Sequence, residues 1–292
     1  MKSKGPVAII ERIVKKSRTI RLLTESLREF GTENGTLLAA SVSFNLLLSI
    51  FPLALAVVYI AGSFPQSPYT QEQIFQGLAY ILPVSRELIA GTVNSVAAAR
   101  GAIGLLALVG LIWGGTSFFT SIRASLNTAW GIRKPAPLLK GQLINLTMMV
   151  GAAILLFLSV LITAFLSTVS EQVVQVSGAH MVSSSTVERI LANVLATAIA
   201  FVVFLLLYRF VPSVRPKWKD IWLGALAAAI FFEITKGIFL IYLRIFNPYN
   251  LVYGSIGALI AFLMWTYLSA VIFLFIAKVT HVNLEMRSRE KA

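Results

Sequence analysis

Glu233 and Lys236 stand three residues apart in an otherwise apolar stretch, and Arg244 follows eleven residues after Glu233. On a helix turning about 100° per residue, positions i and i+3 are neighbours, and i+11 returns almost to the starting azimuth. The spacing therefore predicts a charged face on which Glu233 and Lys236 neutralise each other, with Arg244 further along it. Inside an apolar stretch such charges either close an internal ion pair or open on a water-filled cavity as a proton- or headgroup-responsive site. Lys236 can extend outward along its aliphatic stem, whereas Glu233, about 18 Å along the helix from Ile221, has no such escape.

A second polar set lies nearer the N-terminus. Ser41, Asn45, Ser49 and Pro52 fall at i, i+4, i+8 and i+11, an arc of about 80°, and Tyr59 returns to the same line. One stripe with a proline kink results. It serves either as hydrogen-bonding glue to a neighbouring helix or as the lining of a polar cavity shared with Glu233. Gly110, Gly114 and Gly115, with Thr116 and Ser117, predict close helix packing in the next apolar stretch. Arg123, towards the end of that stretch, is expected to snorkel to the membrane surface, with a lipid phosphate as its candidate contact.

Other chemistries lack their residues. There is no cysteine, so disulfides, thiolate metal sites and cysteine nucleophiles are excluded. His180 and His281 belong to no metal-ligand spacing, and both are expected to be solvated. No paired-carboxylate arrangement or glycine-rich phosphate loop occurs. The expectation is a chain that is not an enzyme and holds neither cofactor nor metal.

The elements that must carry these residues follow from composition. Hydrophobic residues make up 57% of the 292-residue chain and charged ones 13%, against ~25% charged in soluble domains; mean hydropathy is +0.82. Crossing a ~30 Å hydrocarbon core takes about 20 apolar residues. Six stretches qualify, at about 36–62, 101–122, 142–168, 187–211, 221–244 and 251–279. The first is too long and begins too late for a signal peptide. The expected fold is an all-α polytopic membrane protein with six transmembrane helices. It is preceded by a basic amphipathic segment at 1–35 and followed by a cytoplasmic tail at 281–292. Short external helices at 71–82 and 85–99 would join the first two spans.

The net charge is +13, and 20 of the 25 basic residues fall in 1–35, 123–141, 209–220 and the segment from Lys278 onward. The intervening loops hold only Arg86, Arg100, Arg189 and Arg244. Such alternation is the positive-inside pattern for an even number of spans, with both termini cytoplasmic. A nucleic-acid partner would not require it, so membrane lipids and a small amphiphilic or anionic solute are the expected partners, and no nucleic acid. The sequence does not set the oligomeric state. Within the first segment, Ile10, Ile13, Val14, Leu23, Leu27 and Phe30 among Lys15, Lys16, Arg18, Arg21 and Arg28 suit a helix lying on an anionic leaflet. No internal repeat marks an inverted-repeat transporter.

Several stretches together resemble the YihY/BrkB family of bacterial inner-membrane proteins. They are Ser43-Phe-Asn-Leu-Leu-Leu-Ser-Ile-Phe-Pro52, Trp113 through Ser121-Ile-Arg-Ala-Ser-Leu-Asn-Thr-Ala-Trp130, Tyr208-Arg-Phe-Val-Pro212 with Trp218 and Gly224, and Tyr253-Gly-Ser-Ile-Gly-Ala258 followed by Trp265-Thr-Tyr267. The resemblance spans residues 36–280. It implies six membrane helices and a role in transport or envelope-lipid handling, with an older ribonuclease label and no established catalytic residues. Family members commonly carry a Gly-Ala-Glu-like stretch at the end of the last span, where this chain has Ile276-Ala277-Lys278; Lys278 is expected to add to the positive cytoplasmic edge. The functional expectation is a transporter or permease-like protein, with envelope lipid the foremost solute. The alternative is a non-transporting scaffold that docks envelope machinery.

Overall fold

The computed structural model describes residues 18–62, 102–132, 139, 141–151, 154, 184–245 and 249–290. The stretches at 71–82 and 85–99, and His180, lie outside them. The described residues form seven helices: α1 (Arg18–Thr32), α2 (Gly35–Gly62), α3 (Ala102–Ala129), α4 (described at 139, 141–151 and 154), α5 (Ser184–Phe210), α6 (Trp218–Ile245) and α7 (Tyr249–Arg289). No strand occurs among them. Trp218–Leu243 and Leu259–Arg289 are each long and apolar enough to cross a membrane, and Gly35–Ile50 and Ala196–Phe210 are shorter apolar helices. The expected third span is described only in its first part, through α4.

Local chemistry sets the breaks. α1 stops where Asn34 adopts the left-handed conformation (φ 55°), one of the few residue types that tolerates it. The Asn34 carbonyl then accepts the Leu38 N–H at 3.0 Å as α2 begins. α3 ends in a Schellman motif: the Ile132 N–H donates to the Asn127 carbonyl at 2.8 Å and the Gly131 N–H to the Thr128 carbonyl at 2.9 Å. Gly131 sits at φ 64°, where a side chain is disfavoured, and a Cβ there would also stand 3.1 Å from His281 Nε2. Pro52 lies within α2, facing Gly110 of α3, where a Cβ would come within 3.2 Å of it.

The most extensive packing joins α2 to α3; α5 packs on α6, and α7 packs on α6, α2, α1 and α3. The buried core gathers at one end of this bundle. It is built from Phe30 of α1, Ala39 and Val42 early in α2, Leu126 and Trp130 at the end of α3, Tyr208 at the end of α5, Ile221 and Ala225 at the start of α6, and Phe273 and Ala277 in the second half of α7. Helices that alternate in direction bring these ends together, as the loop-by-loop charge pattern requires. Small residues set the closest approach: Ala225 and Ala228 are fully buried, and a Cβ on Gly224 would collide with Thr280 of α7. Tyr208 donates to the Phe273 carbonyl at 2.7 Å while its ring stacks on Phe273.

Away from this end, large apolar side chains are exposed on several helices, among them Trp113, Leu143, Val194, Phe231 and Ile238. A surface this apolar on so many elements suits contact with lipid rather than water. α7 continues as one helix to Arg289, so most of the expected tail at 281–292 is an extension of the last helix.

Candidate functional site

α6 presents the charge pair that the three-residue spacing anticipates. Glu233 Oε2 and Lys236 Nζ form an ion pair, with the glutamate side chain 19% and the lysine side chain 39% exposed. Counting from Trp218, the pair lies about 22–27 Å along the helix. Ile230, Phe231, Ile234, Ile238 and Ile241 are all exposed, and at about 100° per residue they form an apolar face turned away from Lys236, with Glu233 at its flank. Phe232 and Phe239 both pack on Trp265 of α7, at ring separations of 5.3 Å, and Phe232 also meets Phe204 of α5. Lys236 follows Phe232 by four residues and precedes Phe239 by three, so the partly buried pair borders the face that these rings pack. The Arg244 side chain lies outside the described residues.

The α2 stripe is bonded to α3. Ser41 Oγ and Ser121 Oγ are 3.0 Å apart, and Ser49 Oγ lies 2.7 Å from both the Asn45 and the Gly114 carbonyls. Asn45 Nδ2 donates to the Ser41 carbonyl, within its own helix, at 2.9 Å. A Cβ on Gly114 would stand 3.1 Å from Ser49 Cα, so the glycine admits the close approach that the serine hydrogen bond needs. The stripe and the Glu233 pair thus belong to different packing surfaces: the first lies between α2 and α3, the second on α6. Interhelical hydrogen bonding, of the two readings of the stripe, is the one this geometry favours.

Arg123 does not reach a surface. It is 9% exposed, and its guanidinium lies against Gly141 of α4, where a Cβ would collide with both Nη atoms. Nη1 is buried without a hydrogen-bond partner among the described residues. Snorkelling fails because α4 lies over the side chain, with Gly141 against its guanidinium. One turn away, Asn145 Nδ2 donates to Thr120 Oγ1 at 2.7 Å and ties α4 to α3.

A further cluster escaped the sequence reading. Lys278 is 1% exposed, and its Nζ lies 2.6 Å from Glu33 Oε2 and 3.4 Å from Glu29 Oε2. It is therefore a buried ion-pair centre and not part of an open positive edge. Around it, Arg289 meets Glu25 at 3.8 Å and Arg18 meets Glu290 at 3.4 Å, while the Phe30 ring packs edge-on against Phe275. α1 thus runs antiparallel to the end of α7 with Glu25, Glu29 and Glu33, at i, i+4 and i+8, turned inward. Its other face exposes Leu23, Leu27, Arg21 and Arg28, the residues suited to an anionic leaflet. The acidic spacing was the available signal; its basic partner lies 249 residues on. His281 is likewise less open than expected, its side chain 19% exposed beside Trp130 and 3.6 Å from Glu285. Among the described residues no group of histidines and carboxylates could hold a metal ion.

Comparison with known proteins shows where such a chain is found. The sequence model of the family described as "Virulence factor BrkB" matches residues 26–292. A UPF0761 membrane protein of Ralstonia nicotianae is 29% identical over 248 residues, covering 84% of this chain and 54% of that protein. One from Rhodospirillum centenum is 28% identical over 275 residues, covering 92% and 59%. One from Pseudoalteromonas translucida is 29% identical over 257 residues, covering 84% and 80%. The chain spans little more than half the length of the first two. No solved structure matches it.

Proposed function

The chain belongs to the virulence factor BrkB family of membrane proteins, and on that premise we propose that it is a six-span protein of the bacterial inner membrane that moves an amphiphilic or anionic solute, envelope lipid foremost. The observation that carries this reading is the Glu233–Lys236 pair, partly buried midway along an apolar α6. Charges held there are costly unless water or a polar group shares the face, and a lipid headgroup passing along α6 is such a group. Both termini are cytoplasmic in this reading, supported by the positive loops and by the gathering of the helix ends that carry them. The protein acts as a passage and carries out no bond chemistry.

The alternative is a scaffold without transport, and it draws support from the stripe: Ser41 and Ser49 bond α2 to α3, which favours a static bundle. Reconstitution in vesicles containing a headgroup-tagged fluorescent anionic phospholipid separates the two. The wild type is expected to speed exposure of the tag to an impermeant quencher, and Glu233→Gln with Lys236→Met to slow it, without loss of folded protein. A wild type indistinguishable from protein-free vesicles removes the transport reading and leaves the scaffold.

A further inference from the structure

We propose that the turn between α5 and α6 is a docking surface for anionic phospholipid, with its cations on the headgroup phosphates and its aromatic rings at the boundary with the acyl chains. Residues 209–220 hold Arg209, Arg215, Lys217 and Lys219 against one acid, Asp220. Arg215, Lys217 and Lys219 are all exposed, and among the described residues none of them pairs with a carboxylate. The large apolar side chains beside them, Phe210, Val214, Trp218 and Trp222, are exposed as well. Trp218 and Trp222 stand one helical turn apart on the same side of α6. Trp218 also opens the part of α6 that is long and apolar enough to cross a membrane. The cations therefore lie at the edge of that segment, and Trp222 about 6 Å into it.

The turn is held in shape before any lipid arrives. The Arg209 guanidinium donates to the Pro216 carbonyl and lies over the Trp218 ring, 5.5 Å from its centroid. Phe210 meets the same ring edge-on at 6.0 Å. From behind, the Ser213 N–H donates to Asn127 Oδ1 of α3 at 2.8 Å, and Pro212 and Pro216 fix the backbone on either side. A surface so fixed loses little freedom on binding. Arg209 is engaged within the turn, which leaves Arg215, Lys217 and Lys219 for the partner. A soluble acidic partner would neutralise these cations but has no use for the rings beside them. A leaflet presents phosphates and acyl chains in adjacent layers, the order in which the turn presents its cations and its rings. Leu223 beside Trp222 and Ile230 about two turns further in are also exposed, apolar surface on which the chains can lie. The surface makes no use of the Glu233–Lys236 pair and does not depend on the transport reading.

The test uses the full chain in phosphatidylcholine vesicles that hold a minor share of phosphatidylglycerol with brominated acyl chains or, in a matched set, of phosphatidylcholine brominated in the same way. Acyl bromines quench a tryptophan that they touch. In the wild type, quenching is expected to report brominated phosphatidylglycerol enriched about five-fold over its share of the bilayer, the factor to which one cation's attraction to anionic lipid corresponds. The excess should fall away at about 1 M salt, where the screening length is about 3 Å. Arg215→Gln, Lys217→Gln and Lys219→Gln together should abolish it. Trp218→Phe with Trp222→Phe, which leaves the other three tryptophans in place, should abolish it as well. Equal quenching by the two lipids in the wild type would overturn the surface and leave its cations to a soluble acidic partner. An excess that survives the three glutamines, or the loss of Trp218 and Trp222, would overturn it too; the wild-type comparison and its salt series decide even if the variants do not fold. None of these readouts measures lipid movement, so failure here leaves the tag-exposure assay standing.

Discussion

The ion-pair centre at Lys278 makes an asymmetric prediction. Replacing both Glu29 and Glu33 by glutamine strands an ammonium that is 1% exposed. Breaking a fully buried pair from one side costs about 3–5 kcal/mol. Here each glutamate side chain is about a third exposed, and glutamine oxygens still accept hydrogen bonds, so about 2–4 kcal/mol is expected. At roughly 2–4 °C per kcal/mol for a chain of this order, Tm should fall by about 5–15 °C. Lys278→Met removes the buried charge and fills its place with an unbranched apolar chain, while the two carboxylates can turn to solvent. Its expected cost is about 1 kcal/mol. Combining all three substitutions should recover most of the loss. A second readout follows α1 itself: Ser26 is fully buried and the chain has no native cysteine. Ser26→Cys should therefore resist a maleimide in the otherwise wild-type protein and react once the glutamates are gone. A Lys278→Met loss larger than that of the double glutamine variant, or a thiol at position 26 still shielded in it, would refute the argument that these carboxylates hold α1 on α7.

Three further outcomes are expected. In α6, Glu233→Gln and Lys236→Met should each cost about 1–2 kcal/mol, below the fully buried figure because the lysine is 39% exposed, and the double change should recover part of this; strictly additive losses in detergent unfolding would deny the pairing. Gly114→Val places a branched side chain where even a Cβ lies 3.1 Å from Ser49 Cα, and should lower stability by about 1–3 kcal/mol through overpacking; an unchanged Tm would mean that α2 and α3 do not approach so closely. For the six-span topology, Ser184→Cys should react with an impermeant thiol reagent outside intact cells and Lys217→Cys, exposed between α5 and α6, should not; the reverse pattern inverts the orientation.

Features that depend on neighbours in the chain were legible in the sequence. The pairing of Glu233 with Lys236 needs only one helical turn, so the i,i+3 spacing was sufficient to anticipate it. The stripe at Ser41, Asn45 and Ser49 and the small residues at Gly110 and Gly114 were readable for the same reason, since 3.6 residues per turn places each set on one face. The apolar lengths and the alternation of basic loops likewise report on the solvent around each segment, a property of local composition. Which faces meet is decided by the tertiary structure, because helical periodicity specifies a face and not its partner. Glu29 and Glu33 are far from Lys278 in the chain, and only the antiparallel docking of α1 on α7 makes a buried ion-pair centre of residues that composition would assign to a solvated edge. Arg123 shows the same limit: a long cation near a helix end favours solvent, yet α4, with a glycine at the contact, buries its guanidinium before it can get there.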